Sequence, residues 1–107
     1  MGQYNDITRI DSDFGTVVYT VNTSSSRSVA ITTQSGIVRI ATKSCEAHIK
    51  FGDGTVVATT SDLLIPANHV EFFAFVSGQY IAFIRSASTN GDISITAIGH
   101  GWVDPKR

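Results

Sequence analysis

The stretch from residue 36 to residue 54, GIVRIATKSCEAHIKFGDG, carries the clearest alternation of apolar and polar residues in the chain. The apolar face of its second half consists of Cys45, Ala47, Ile49 and Phe51. The polar face consists of Glu46, His48 and Lys50. Successive side chains of a strand point to opposite faces, so the pattern predicts a half-buried strand with His48 in solvent. Val38 and Ile40 give the preceding segment the same character, and together the two segments predict an antiparallel hairpin at the middle of the domain.

The segments on either side of this hairpin also follow the two-residue period of β-strands, and none shows a sustained helical period. Glycine, serine and asparagine turns separate them, among them the turn signal Asn90-Gly91-Asp92. Seven or eight short strands at regular spacing predict an all-β fold, a single antiparallel β-sandwich or jelly roll. Further strands are expected at residues 14–22, 28–33, 70–76, 80–85 and 93–98, with a brief one at residues 55–58.

The chain length of 107 residues is that of one domain. Residues 1–13 are polar with isolated apolar side chains and are predicted to form an N-terminal arm. Residues 14–107 are predicted to form the sandwich together with a short C-terminal tail. Charged residues make up only 16% of the chain, well below the usual quarter. Such a surface suits a protein that functions inside an assembly.

Charge and hydropathy argue against two classes of partner. The formal net charge is −1, and the basic residues are scattered, whereas nucleic-acid binding depends on clustered lysine and arginine. No apolar run approaches the ~20 residues of a membrane helix, and no signal segment is recognisable. We therefore expect synthesis in a cytoplasm and binding to neither nucleic acid nor a membrane. The lone cysteine, Cys45, is expected to be a buried and unreactive thiol.

No arrangement of residues in the sequence indicates catalysis or a cofactor. His48, His69 and His100 lack the spacing of a metal site. Asp53 lies between two glycines but without the further carboxylates of a calcium loop. The serines lie in no nucleophile motif, and no Ser-His-Asp set can be assembled. The sequence predicts a non-enzymatic protein without a cofactor or metal.

Two neighbouring segments, residues 70–76 and 80–85, are apolar on both faces. Either turns and the arm cover the second face, or it belongs to an interface between subunits. In residues 70–76 we expect Phe72 and Ala74 to face the core, which leaves Phe73 and Phe75 for a partner. The residues expected to be buried are Val38, Ile40, Ala47, Ile49, Phe51, Phe72, Ala74 and Ile95. The residues expected to contact a partner are Tyr4, Ile7, Ile10, Phe73, Phe75 and Trp102.

Three segments in order, SGIVRIATKSCEAHIKFG (35–52), LLIPANHVEFFAFVSGQYIAFI (63–84) and GDISITAI (91–98), resemble a group of small structural proteins of tailed bacteriophages. The shared features are the Val38-Arg39 strand, Cys45 and His48 ahead of Phe51-Gly52, and the proline, glutamate and glycine of the second segment. The likeness covers about two-thirds of the chain and omits the N-terminal third.

This resemblance implies a structural protein of the virion, made in the host cytoplasm, and most plainly a capsid decoration (cement) protein. Its partners would be the major capsid protein or other virion proteins, and a homo-oligomer is expected. The group contributes no catalytic residue. The alternative is a receptor- or carbohydrate-binding β-module of a fibre or tail, with aromatic side chains exposed for stacking on sugars.

Overall fold

A computed structural model describes Ile10, residues 14–86 and residues 89–99. These residues form eight strands and no helix, and therefore no helix that is long and apolar enough to cross a membrane. The strands are β1 (Thr16–Val21), β2 (Ser26–Arg27), β3 (Ile37–Lys43), β4 (Ala47–Gly52), β5 (Leu63–Ile65), β6 (Val70–Ala74), β7 (Tyr80–Arg85) and β8 (Gly91–Ile98).

The eight strands form two antiparallel sheets of four strands each. Sheet A has the order β1-β8-β3-β6, and sheet B has the order β2-β7-β4-β5. Every ladder is antiparallel, and Ile10 adds an isolated antiparallel bridge to Ile98 beside β1. The predicted fold class, an all-β sandwich of seven or eight strands, is confirmed.

The prediction of a hairpin at residues 36–54 is wrong. β3 belongs to sheet A and β4 to sheet B, so the link between them crosses from one sheet to the other. Ser44 takes a left-handed conformation, with φ of 68°, and this bend directs Cys45 into the space between the sheets, where it is 2% exposed. A short polar link predicts a turn but not whether the second strand returns to the same sheet.

Most other connections also change sheet. The turn Ser77-Gly78-Gln79 joins β6 of sheet A to β7 of sheet B and so closes no hairpin. Of the connections between consecutive strands, that from β4 to β5 stays within one sheet. Strands that are neighbours in the sequence are therefore seldom neighbours in space.

The core lies between the inner faces of the sheets, and most of the residues expected there are buried. Val38, Ile40, Ala47 and Ile95 are fully buried, and Ile49 is nearly so, as predicted. Phe51 is half-buried and packs against the core, with its ring 5.1 Å from that of Phe75 and 5.6 Å from that of Phe73. These edge-to-face contacts join β4 to β6 across the sandwich.

The prediction that Phe72 and Ala74 are buried is wrong. Phe72 is 53% exposed and Ala74 is also exposed, whereas Phe75 is 6% exposed and lies in the core. Residues 70–76 are apolar on both faces, so the alternation of residue types did not determine which face turns inward.

The buried Cys45 gives a first testable prediction. Burial raises the pKa of the thiol, and the nearby carboxylate of Asp92 raises the pKa further. Both effects reduce the fraction of reactive thiolate at neutral pH. We expect a thiol reagent to label the native protein at least ~100-fold more slowly than the unfolded protein. Equally rapid labelling in buffer and in denaturant would show that the thiol is accessible in the folded state.

Candidate functional site

The outer face of sheet B is covered over β4 and β7 by the protein's own chain, while Leu64 of β5 remains exposed. Residues 53–62 pass over it, and Val56, Ala58 and Ala82 of β7 form a small buried cluster there. Two polar contacts hold the segment in place. The backbone N–H of Ala58 donates to Oγ of Ser25 over 2.9 Å, and Nη1 of Arg27 donates to the carbonyl oxygen of Val56 over 3.3 Å. The second apolar face of β7 therefore belongs to an internal contact.

His48 lies beneath the same segment, so the prediction that it is solvated is wrong. Its side chain is on the outer face of β4, as the alternation indicated, but the residue is only 9% exposed. Nδ1 of His48 lies 2.8 Å from the carbonyl oxygen of Asp62. Hydrogen bonds from Thr59 lower the pKa of the Asp62 carboxyl, as those from Thr55 do for Asp53. Stabilisation of the segment by these ionised carboxylates is lost as the pH falls through their lowered pKa values.

On the outer face of sheet A, Thr96 and Ile98 of β8 are buried, but the large apolar residues toward the sides of the face are exposed. Its exposed large apolar residues are Val18 (60% exposed), Ile37 (38%), Val70 (42%) and Phe72 (53%). Ile10, which is 57% exposed, borders the face through its bridge to Ile98. We refer to this surface as face A, and it is the candidate functional site.

Strand register arranges face A in rows that cross the sheet. One row runs Thr16, Thr96, Arg39 and Phe72, and the next runs Val18, Ser94, Ala41 and Val70. Oγ1 of Thr16 and Oγ1 of Thr96 lie 2.8 Å apart. Two shallow depressions of ≈ 340 and 350 Å³ lie along β8, one beside Ile10 and Arg39, the other beside Val18 and Lys43. Four adjacent strands thus present a broad, slightly indented surface with apolar positions at both sides.

The polar groups of face A are few. Arg39 is half-buried near its centre, and Lys43 and Asp92 are register partners at one end. Among the described residues no group of three or more histidine, cysteine, aspartate or glutamate side chains could hold a metal ion. Nε2 of His69 lies 3.7 Å from Oε2 of Glu71 at the edge of the sandwich, where both side chains are well exposed. The chemistry of face A is that of protein contact, apolar burial with a few charges to set orientation.

The residues predicted to contact a partner are only partly on this surface. Ile10 borders face A, but Phe73 and Phe75 point toward the core, so their proposed exposure to a partner is wrong. The cause is the reversed face of β6 described above. Tyr4, Ile7 and Trp102 lie outside the described residues, as do most of the predicted arm, residues 1–13, and the C-terminal tail.

Sequence reasoning missed Val18, Ile37 and Val70 as surface residues. Val18 alternates with Val17 and Tyr19, which lie on the inner face and are half-buried, so valines occupy both sides of β1. One sequence feature could have indicated this exposed face. Apolar residues occur on both faces of β1 and β6, which form the two edges of sheet A.

No family model and no curated protein matches this sequence. Among solved structures, hydroxypropylphosphonic acid epoxidase from S. wedmorenis, determined in complex with fosfomycin, aligns with a TM-score of 0.51 and 17% sequence identity. The alignment covers 77% of this chain and 42% of the epoxidase chain, so this chain spans less than half the length of that protein. At this identity the likeness shows the fold alone.

Proposed function

We propose that this chain is a non-enzymatic structural protein of a tailed-phage virion, a capsid decoration protein that binds the major capsid protein lattice through face A. The observation that carries the proposal is the contrast between the two outer faces. Residues 53–62 cover the outer face of sheet B around Ala82 and, among the described strand residues of that face, leave only the large apolar side chain of Leu64 exposed, at 42%, whereas four large apolar side chains of sheet A are 38–60% exposed. Several large apolar side chains exposed on one sheet face are typical of protein–protein contact sites.

Two further features support a repeating partner. Few charges surround face A, so long-range steering contributes little, and affinity must come from contact area. A lattice supplies many equivalent sites, so weak contacts made by linked or neighbouring subunits reinforce one another. Residues 35–52, 63–84 and 91–98 resemble phage structural proteins, and this resemblance suggests that the lattice is a phage capsid. Tyr4, Ile7 and Trp102 remain candidates for additional contacts.

Four exposed valines allow a matched test. Val18 and Val70 lie on face A (60% and 42% exposed), whereas Val29 and Val57 lie elsewhere (58% and 56% exposed). Changing Val18 and Val70 together to serine should remove about 1 kcal/mol of apolar burial each, which weakens attachment about 30-fold. Changing Val29 and Val57 to serine should leave attachment through face A unchanged, and a loss here would instead point to the cleft that these two valines line.

The measurement is to mix each variant with phage particles that lack the protein, sediment the particles and quantify the bound fraction. Both double variants should retain the wild-type thermal midpoint, since all four side chains are exposed. Equal binding by the two double variants would contradict a role for face A. Failure of the wild-type protein to bind any particle would contradict the decoration role.

A receptor- or carbohydrate-binding role is the second candidate, and one feature favours it. A cleft of ≈ 470 Å³ is lined by Ser25, Ser26, Arg27, Ser28 and Tyr80, with valines beside them. Hydroxyl groups, a guanidinium and an aromatic ring are the groups that bind sugars. If a sugar displaces the protein from its particle while the face A variant binds normally, this second role replaces the first.

A further inference from the structure

β6 forms one edge of sheet A, and half of its backbone groups point away from the sheet. The N–H of Phe75 donates to the carbonyl oxygen of Gly36 over 2.8 Å. The N–H of Thr42 donates to the carbonyl oxygen of His69 over 2.9 Å. Odd-numbered residues of this strand therefore bond to β3, and the register places the alternate residues in the outward-facing positions. No residue that the structure describes pairs with the N–H and C=O groups of Val70, Phe72 and Ala74, so among these residues β6 is a free edge five residues long.

The two edges of sheet B are protected in ways that β6 is not. β5 is three residues long and is followed by Pro66. β2 is two residues long, and just beyond it the N–H of Val29 donates to the tyrosine oxygen of Tyr19 over 3.2 Å. β6 contains no proline, lysine or arginine within its bounds, and these are the residues by which exposed edges usually avoid pairing. At the other edge of sheet A, β1 presents two threonines with Val18, so its edge is more polar.

We propose that two copies of this chain associate through the free edges of β6, which pair antiparallel so that sheet A continues across the dimer. A two-fold axis at Phe72 places that residue opposite Phe72 of the partner subunit, and Val70 opposite Ala74 of the partner subunit. All five residues of the strand are then paired, and the axis makes the contact self-complementary. The pairing supplies about six backbone hydrogen bonds.

Electrostatics selects this register over its nearest rival. With the axis at Phe72, Glu71 lies opposite Phe73 of the partner subunit, and no like charges meet. Moving the axis to Glu71 would place two glutamates directly opposite each other, which is destabilising in an antiparallel pair. Moving it to Phe73 would leave Val70 unpaired. The exposed rings of Phe72 meet at the axis in the favoured register, where aromatic pairs contribute beyond their area.

This dimer rests on no assumption about the proposed function, because it concerns the purified protein alone. Its buried area is smaller than the ~800 Å² per partner of a standard interface, so we expect a reversible dimer. If the proposed function also holds, pairing doubles face A, since Val70 and Phe72 of both copies then form its centre.

The first test compares sedimentation of the wild-type protein with that of Phe72→Lys and Phe72→Glu. The wild type should sediment partly as a dimer at roughly 100 μM. Each variant places like charges at the axis and should weaken the dimer at least ~100-fold. An equimolar mixture of the two variants should restore dimers through opposite charges. Val18→Lys, on the same face but at β1, is the matched control and should dimerise like the wild type.

The second test determines the register of the paired strands by disulfide cross-linking. It does not require the charge variants to fold. Phe72→Cys places two thiols across the axis at a Cα separation of about 5.5 Å, within disulfide range, and oxidation should give a covalent dimer. Val70→Cys should not cross-link, because its opposite residue is Ala74 of the partner subunit. Cys45 is buried and should not interfere.

Three results would overturn the proposal. The first is a wild-type protein that stays monomeric at the highest concentration tested. The second is a dimer that persists in both charge variants. The third is a disulfide that forms at residue 70 but not at residue 72.

Discussion

Gly91→Ala is expected to lower the free energy of unfolding by about 3 kcal/mol or more, since it forces atoms into occupied space. A Cβ atom at Gly91 would overlap the carbonyl oxygen of Lys43 and would lie 2.9 Å from both Cβ and Sγ of Cys45. The nearest obstacle is backbone, which cannot rotate away. The start of β8 and the link from β3 to β4 would have to separate, and this link is where the chain passes between the sheets.

Gly54→Ala is the matched control, because its Cβ would lie 3.4 Å from the Tyr80 ring, an ordinary contact distance. Chemical denaturation monitored by circular dichroism measures both variants. Adding Cys45→Ala to Gly91→Ala should not restore stability, since the overlap with the Lys43 oxygen remains. A Gly91→Ala protein as stable as the wild type would show that these segments are not as close as described.

Phe83→Ala should lower the free energy of unfolding by about 3–5 kcal/mol, the range for a large aromatic core truncation. Phe83 is fully buried, and its ring centroid lies 5.4 Å from that of Tyr19 on the opposite sheet. The truncation leaves a cavity between the sheets that the two ladders prevent from collapsing. Denaturant midpoints at low protein concentration give the free energy change.

Phe72→Ala is the matched control for Phe83→Ala, because it makes the same substitution at an exposed position. It should alter the free energy of unfolding by no more than ~0.5 kcal/mol. Similar losses from the two substitutions would mean that Phe72 is buried in the folded protein, which would reverse the faces of β6 and remove Phe72 from face A.

Local alternation was sufficient to predict the fold class and most of the strands. The strands expected at residues 28–33 and 55–58 are not formed, and β2 and β5 were not predicted. The inner faces of β3 and β4 followed from alternation because one side of each strand is clearly more apolar than the other. The inner face of β6 did not follow from alternation, because Val70, Phe72 and Ala74 on one side are as apolar as Phe73 and Phe75 on the other. When both faces are apolar, only the position of the strand in the sheet determines which face is covered, and that position depends on residues far away in the sequence.

His48 and Gly91 show the same limit in two other ways. The face of His48 was predicted correctly, but its burial depends on residues 53–62, whose path across sheet B no periodicity reveals. Gly91 was interpreted as part of a turn signal, yet it begins β8 at a site of close backbone approach. Face A could not be recognised beforehand, because its rows draw on four strands that are scattered along the chain.

The crossing of the chain between sheets has a consequence for how the protein folds. Thr16 of β1 pairs with Thr96 of β8, and β8 lies between β1 and β3 in sheet A. Sheet A therefore cannot close until β8 has left the ribosome. Such long loop closures make folding slow. During synthesis β1, β3 and β6 lack β8, the strand that joins β1 to β3, and their edges stay unpaired. The demand for chaperones should therefore be highest just before β8 emerges.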